Sequence, residues 1–134
     1  FNDANELLLQ KRAATNYHSA GKWSNTSCSH PRTGETTRRA ANQRLIEEMG
    51  FSASVTEIFS FIYKEHIGGG MTEHEFDHVF LGRYNGAIVP NPLEVGEYKF
   101  VSIFEVSQDV KVYPEKYTAW FKICFNEVIP NLLK

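Results

Sequence analysis

T-G-E-T-T-R-R-A-A-N-Q-R-L-I-E-E-M-G-F, residues 33–51, is the stretch on which the fold turns. Glu35–Met49 has high helix propensity, and Gly50 is a natural stop because glycine accepts the left-handed conformation that closes a helix. The helix carries Glu47 and Glu48 just before that glycine and follows the approach Thr33-Gly34-Glu35. Working outward, Glu6–Arg12 (E-L-L-L-Q-K-R) reads as a strand, and Ser24–His30 reads as a strand edge or a loop lining a site. On the other side, Ser52–Ile67 is rich in Val, Ile, Phe, Tyr and Thr and reads as a strand. Gly68–Gly70 breaks it and Thr72–Tyr84 resumes as its partner, while Asn85-Gly86 reads as a tight turn because both residues tolerate positive φ. Glu97–Ile103 reads as a further strand and Phe104–Asp109 as a short helix. Pro114 is suited to opening the last helix, along which Tyr117, Trp120, Phe121, Cys124, Phe125 and Val128 recur at helical spacing. Strands between helices give an α+β class, an α/β/α sandwich, in one domain over residues 1–134.

The bulk properties narrow the function. The formal net charge is −2 and no dense basic stripe exists, which argues against nucleic acid or an anionic membrane as partner. No apolar run approaches the ~18 residues of a membrane span, and no signal peptide is legible. Cys28 and Cys124 make no disulfide framework and suit a reducing, cytoplasmic setting. The chain opens on Phe1 rather than Met, so a preceding segment is expected. A monomer is expected. Lys11, Arg12, Arg32, Arg38, Arg39 and Arg44 concentrate in the first third, a bias that suits a compact anion such as a diphosphate.

Two further patterns carry chemistry. Cys28 and His30 lie two apart in S-N-T-S-C-S-H-P-R, on one face if the segment is extended. Glu73 and Glu75 flank His74 in T-E-H-E-F-D-H-V-F, and in a strand their Cα atoms lie roughly 7 Å apart on one face. Two carboxylates there are costly unless a cation or proton sits between them. Alternation turns His74 away from that pair. His18, His66 and His78 read as surface or structural groups, and Cys124 as a small apolar filler on the last helix.

The helix can be tested against the Nudix signature, a Gly, then Glu, then R-E-U-x-E-E-x-G-U. Glu35, Leu45, Glu47, Glu48, Gly50 and Phe51 fall in register. Ser29 stands where the first glycine belongs, and Gln43 and Arg44 replace the Arg-Glu pair, so the frame is kept while part of a hydrolase's core is lost. With L-L-L-Q-K-R at 7–12, Y-H-S-A-G-K-W-S-N-T-S-C-S-H-P-R at 17–32, A-A-N-Q-R-L-I-E-E-M-G-F at 40–51, T-E-H-E-F-D-H-V-F at 72–80 and P-E-K-Y-T-A-W-F-K-I at 114–123, the chain resembles the type I isopentenyl diphosphate isomerases. These segments run in the family's order from near residue 7 to near residue 125.

The resemblance implies a Nudix-like mixed sheet flanked by helices and the reversible conversion of isopentenyl diphosphate to dimethylallyl diphosphate. It implies Glu75 as the acid that protonates the alkene, Cys28 as the group that removes the allylic proton, Tyr63 as hydrogen-bond partner of the glutamate, and Trp120 as the indole whose π face steadies a tertiary carbocation. Arg12 and Arg44 match residues that grip the diphosphate, and Ser29 is counted with the substrate contacts. Two metals are implied. One is Mg2+ on the diphosphate with Glu48 as ligand, and the other is Mn2+, Mg2+ or Zn2+ held by His30, Glu73 and Glu75 with two histidines from a segment before Phe1. Asn16 stands where the family usually has a lysine. Two competing readings follow from the departures: a Nudix pyrophosphohydrolase, which needs the lost Arg-Glu pair, and an inactive homologue, suggested by Asn16 and the absent histidines.

Overall fold

A computed structural model describes residues 1–14, 20–27, 36–68 and 71–132, with backbone alone for 63–68, 71–77 and 128–132. Its first strand, β1 (Glu6–Arg12), is the middle of a three-stranded sheet, between β2 (Trp23–Ser24) and β5 (Val95–Ser102). Both pairings are antiparallel, with Leu8 opposite Phe100 and Gln10 opposite both Tyr98 and Ser24. A second, two-stranded antiparallel sheet pairs β3 (Val55–Gly68) with β4 (Met71–Gly82).

The L-L-L run explains why β1 is central. Successive strand residues face opposite ways, so a strand buried on both faces needs consecutive apolar residues. Leu8 packs into one cluster with Leu45 and Met49 of α1 (Thr37–Met49), Phe51, Val55 and Val95. Leu9, fully buried, packs into another with Val106 and Val110 of α2 (Ile103–Val112), Tyr117, and Phe121 and Phe125 of α3 (Ala119–Leu132). Helices therefore cover both faces, and the expected α/β/α layering is observed.

Helix α1 stops at Gly50 as expected but starts at Thr37 rather than Glu35, because Thr36 is extended. Thr36 caps it, its hydroxyl accepting from Arg39 N at 3.1 Å, and Gly50 closes it at φ 74°. A side chain on Gly50 would also collide with the Val89 carbonyl, 2.4 Å from an ideal Cβ. Two expectations need correction. Asn85-Gly86 does not make a positive-φ hairpin turn: neither residue has positive φ, and β5, the next strand, pairs with β1 rather than β4. Asn85 instead accepts a hydrogen bond from Asp3 N through Oδ1 at 2.8 Å. Pro114 opens not the last helix but a 3-10 turn, Pro114–Lys116. Tyr117 is then extended and forms an isolated parallel bridge with Trp23, so α3 begins only at Ala119. Among the described residues, no helix is long and apolar enough to cross a membrane.

Candidate functional site

The site grows from the polar residues that interrupt the core. Gln10 follows Leu8 and Leu9 on β1 and is 2% exposed, so its amide must find partners inside the protein. Its Nε2 donates to the Thr26 carbonyl at 2.8 Å and to Glu48 Oε1 at 3.1 Å. Thr26 returns a bond from its hydroxyl to the Leu8 carbonyl at 2.7 Å, so the segment after β2 is tied to β1 at both atoms. Gln10 Oε1 is buried and has no hydrogen-bond partner among the described residues. Rotating the amide would turn its oxygen toward two other acceptors, so the network fixes the orientation observed.

Glu48 lies on the inner face of α1, its side chain 4% exposed. Arg44, one turn earlier, lies among three carboxylates: Glu47 Oε2 at 2.7 Å, Glu94 Oε2 at 3.0 Å and Glu48 Oε2 at 3.4 Å. Burial works to lower the pKa of this guanidinium, but Glu48, Glu47 and Glu94 together raise it above its ordinary value. Gln43 Nε2 also donates to Glu47 at 3.2 Å. Glu47 is therefore a partner of Gln43 and Arg44. Gln43 and Arg44, which replace the signature pair, are thus built into the acidic cluster.

A second group forms where β2 meets the start of α3. Thr118 N donates to the Trp23 carbonyl at 2.9 Å, anchoring the helix start to the strand. Thr118 Oγ1 accepts from Phe121 N at 3.4 Å, as an N-cap does, and lies 2.9 Å from Ser24 Oγ. Ser24 Oγ donates to Asn25 Oδ1 at 2.8 Å, and Trp120 Nε1 donates to the same oxygen at 3.2 Å. Arg12 stacks on the Trp120 ring, its Cζ 5.2 Å from the centroid.

Of the expected site residues, Arg44 and Glu48 come together on α1, and Arg12 and Trp120 come together across β1 and α3. Tyr63 lies opposite Glu75, and Glu65 opposite Glu73, in the β3–β4 register. The side chains of Tyr63, Glu73 and Glu75, and the whole of Cys28, Ser29 and His30, lie outside the described residues. Asn16 and His18 lie outside them as well, as do the side chains of His66 and His74. His78 Nδ1 meets Glu57 Oε1 at 2.6 Å, consistent with a structural group. Cys124 is half-buried. The sequence reading did not single out Gln10, Asn25 or Glu94. Gln10 did leave a signal, a polar residue inside an apolar strand, and Asn25 sits within the motif around Cys28; Glu94 left none.

Glu48 is the expected Mg2+ ligand whose side chain lies among the described residues. Its buried carboxylate is an oxygen donor of the kind that suits Mg2+, and it is held there by the Gln10 amide N–H and Arg44. That carboxylate fits a divalent cation. No group of three or more His, Cys, Asp or Glu assembles for a metal among the described residues.

Comparison with known proteins agrees with this architecture. The NUDIX domain family matches residues 1–121. The chain is 47% identical over 129 residues to isopentenyl-diphosphate Delta-isomerase 2 of Aromatoleum aromaticum, spanning 96% of this chain and 68% of that protein. It is 44% identical to the isopentenyl-diphosphate Delta-isomerase of Pectobacterium atrosepticum, over 96% of this chain and 72% of that one. Among solved structures, a MutT protein from Methanosarcina mazei superposes with a TM-score of 0.77 at 20% identity, over 99% of this chain and 89% of that one. A MutT Nudix hydrolase from Burkholderia pseudomallei gives 0.66 at 19%, over 92% and 88%. At such identities the structural likeness speaks to the fold alone.

Proposed function

We infer the activity from membership: the chain belongs to the NUDIX domain family and, within it, to the isopentenyl-diphosphate Delta-isomerases. It is an isomerase that interconverts isopentenyl diphosphate and dimethylallyl diphosphate. The observation that carries this conclusion is identity near one half, spread over 96% of the chain, with proteins of that activity. The replacement of the hydrolase's Arg-Glu pair by Gln43 and Arg44, both engaged with Glu47, points the same way.

In the reaction, the π electrons of the terminal double bond take a proton from Glu75 to form a methyl group. The tertiary carbon is left cationic. Cys28, as thiolate, then removes a proton from C2, and that C–H electron pair becomes the new double bond. An alkene is a weak base, so the acid must be fixed in a dry pocket. The β3–β4 register, with Tyr63 opposite Glu75, supports Tyr63 as the group that orients this carboxyl. Trp120 offers its indole to the cation, an attraction worth ~2 kcal/mol or more when desolvated. Arg12 and Arg44, with Ser29, hold the diphosphate at the other end.

The family uses divalent metals. In our reading Glu48, with Gln10 beside it, holds Mg2+, which neutralises diphosphate charge when bound, and His30, Glu73 and Glu75 hold a second ion, Mn2+, Mg2+ or Zn2+. The substrate is a small-molecule diphosphate. The protein acts as a monomer in the cytoplasm, with neither nucleic acid nor membrane as partner.

The chemistry offers a direct test, because an allylic diphosphate ionises in acid and its homoallylic isomer does not. Full-length protein incubated with labelled isopentenyl diphosphate should give acid-labile label. Cys28→Ala and Glu75→Gln should lose ~10²–10⁴-fold of that rate while remaining folded. Release of inorganic phosphate without acid-labile product would favour the hydrolase reading, and normal rates in either variant would remove the assigned roles.

A further inference from the structure

We propose that Asn25 is a positioning residue for the isomerisation, one amide that fixes the Trp120 indole and the peptide leading into Cys28 relative to each other. This rests on the roles assigned above to Trp120 and Cys28. Asn25 Oδ1 accepts from Trp120 Nε1 at 3.2 Å and from Ser24 Oγ at 2.8 Å, while Nδ2 donates to the Ser27 carbonyl at 2.5 Å. That carbonyl belongs to the peptide bond joining Ser27 to Cys28. One planar group therefore bonds both to the Trp120 indole and to the carbonyl that precedes Cys28 in the chain.

The direction of every bond in the chain is determined. An indole N–H can only donate, so the atom facing it must be the amide oxygen. Flipping Asn25 would present Nδ2 to that N–H and set Oδ1 against the Ser27 carbonyl. Ser24 spends its single proton on Asn25, so the Thr118 hydroxyl donates to Ser24 in turn. Ser24 and Thr118 are 2% and 0% exposed, which shields these links from water. The Thr118 hydroxyl in turn accepts from Phe121 N in α3. The indole is thus tied to the sheet and to the start of its own helix through one relay. An aspartate or a serine at position 25 could not make all of these bonds.

Positioning predicts a particular kinetic signature. Misplacing a reacting group by about 1 Å can cost ~10²-fold in rate while leaving remote binding intact. Asn25→Ala loses both arms. Asn25→Asp is isosteric and can keep the two bonds to Oδ1, but it replaces the donor to Ser27 with a charged carboxylate oxygen that the Ser27 carbonyl repels. In the full-length protein we expect kcat to fall at least tenfold in both, more in Asn25→Ala, with KM for isopentenyl diphosphate within threefold of wild type. Iodoacetamide alkylation of Cys28, read by mass spectrometry against Cys124 in the same molecule, should change at least threefold in both. Asn25→Asp carries the test if Asn25→Ala does not fold. Wild-type kcat in either variant overturns the proposal, as does a raised KM at unchanged kcat, or an alkylation ratio that does not move. If wild-type protein does not isomerise the substrate, the functional reading fails instead. The alkylation ratio still reports on the Asn25 link alone.

Discussion

Replacing Arg44 by methionine keeps the apolar stem and removes the guanidinium that Glu47, Glu48 and Glu94 share. The Glu47 and Glu94 contacts, at 2.7 and 3.0 Å, join side chains 26–32% exposed, and screened pairs of this kind contribute ~0.2–1 kcal/mol each. Glu48 differs. Its side chain is 4% exposed, and a buried charge stripped of a counter-charge and of every hydrogen bond would cost ~3–5 kcal/mol. Gln10 Nε2 still donates to it, so a loss of ~1–3 kcal/mol is the better figure for that contact. The total is about 1.5–5 kcal/mol, which urea unfolding at neutral pH and low salt resolves. Mg2+ adds a diagnostic. A ligand at 100 times its Kd stabilises the folded state by ~2.7 kcal/mol, and a cation beside Glu48 would replace the missing charge. The Mg2+ increment should therefore be larger in Arg44→Met than in wild type. A stability loss under ~0.5 kcal/mol would refute the reasoning about the buried carboxylate. No Mg2+ increment in either protein would refute the cation site.

Gly50→Ala should destabilise by at least ~1–3 kcal/mol in thermal or urea melts, because the alanine would need φ 74° and would meet the Val89 carbonyl at 2.4 Å. A neutral substitution would mean that the α1 terminus is not built as described. Asp109 supplies a pH dependence. The Tyr117 hydroxyl donates to it at 2.5 Å, and Lys116 and Lys99 add to that, against burial, so its carboxyl is held below the ordinary 3.8. A depressed folded value means that this stability is present above pH 3.8 and is lost as pH falls from there through the folded value. Asp109→Asn should flatten the acid limb of a stability–pH curve, and an unchanged limb would show that the carboxyl contributes nothing there.

How far the residues announced the fold depended on whether a feature was local. Glu6–Arg12 read as a strand and became β1, and Gly50 ended α1, because each signal acts through its own neighbours. Pro114 misled because its preference for a first helical turn is met by the 3-10 turn, while a bridge from Tyr117 to Trp23, distant in sequence, holds the next residues extended. Asn85-Gly86 misled for a related reason: a turn pair makes a hairpin only if the flanking strands pair, and β5 pairs elsewhere. Of the candidate site, resemblance to a family pointed to Arg12, Arg44, Glu48 and Trp120. Gln10, Asn25 and Glu94 act through partners 38, 95 and 50 residues away, and no spacing rule reaches that far.

The central claim is that a carboxylic acid and a thiolate base work on one small diphosphate. Proton NMR of isopentenyl diphosphate with the full-length protein in D2O tests it most directly. The account predicts deuterium entering the methyl group as dimethylallyl diphosphate signals appear, with the diphosphate intact in the phosphorus spectrum. A substrate that keeps all its protons, or one that loses phosphate without moving its double bond, would contradict it.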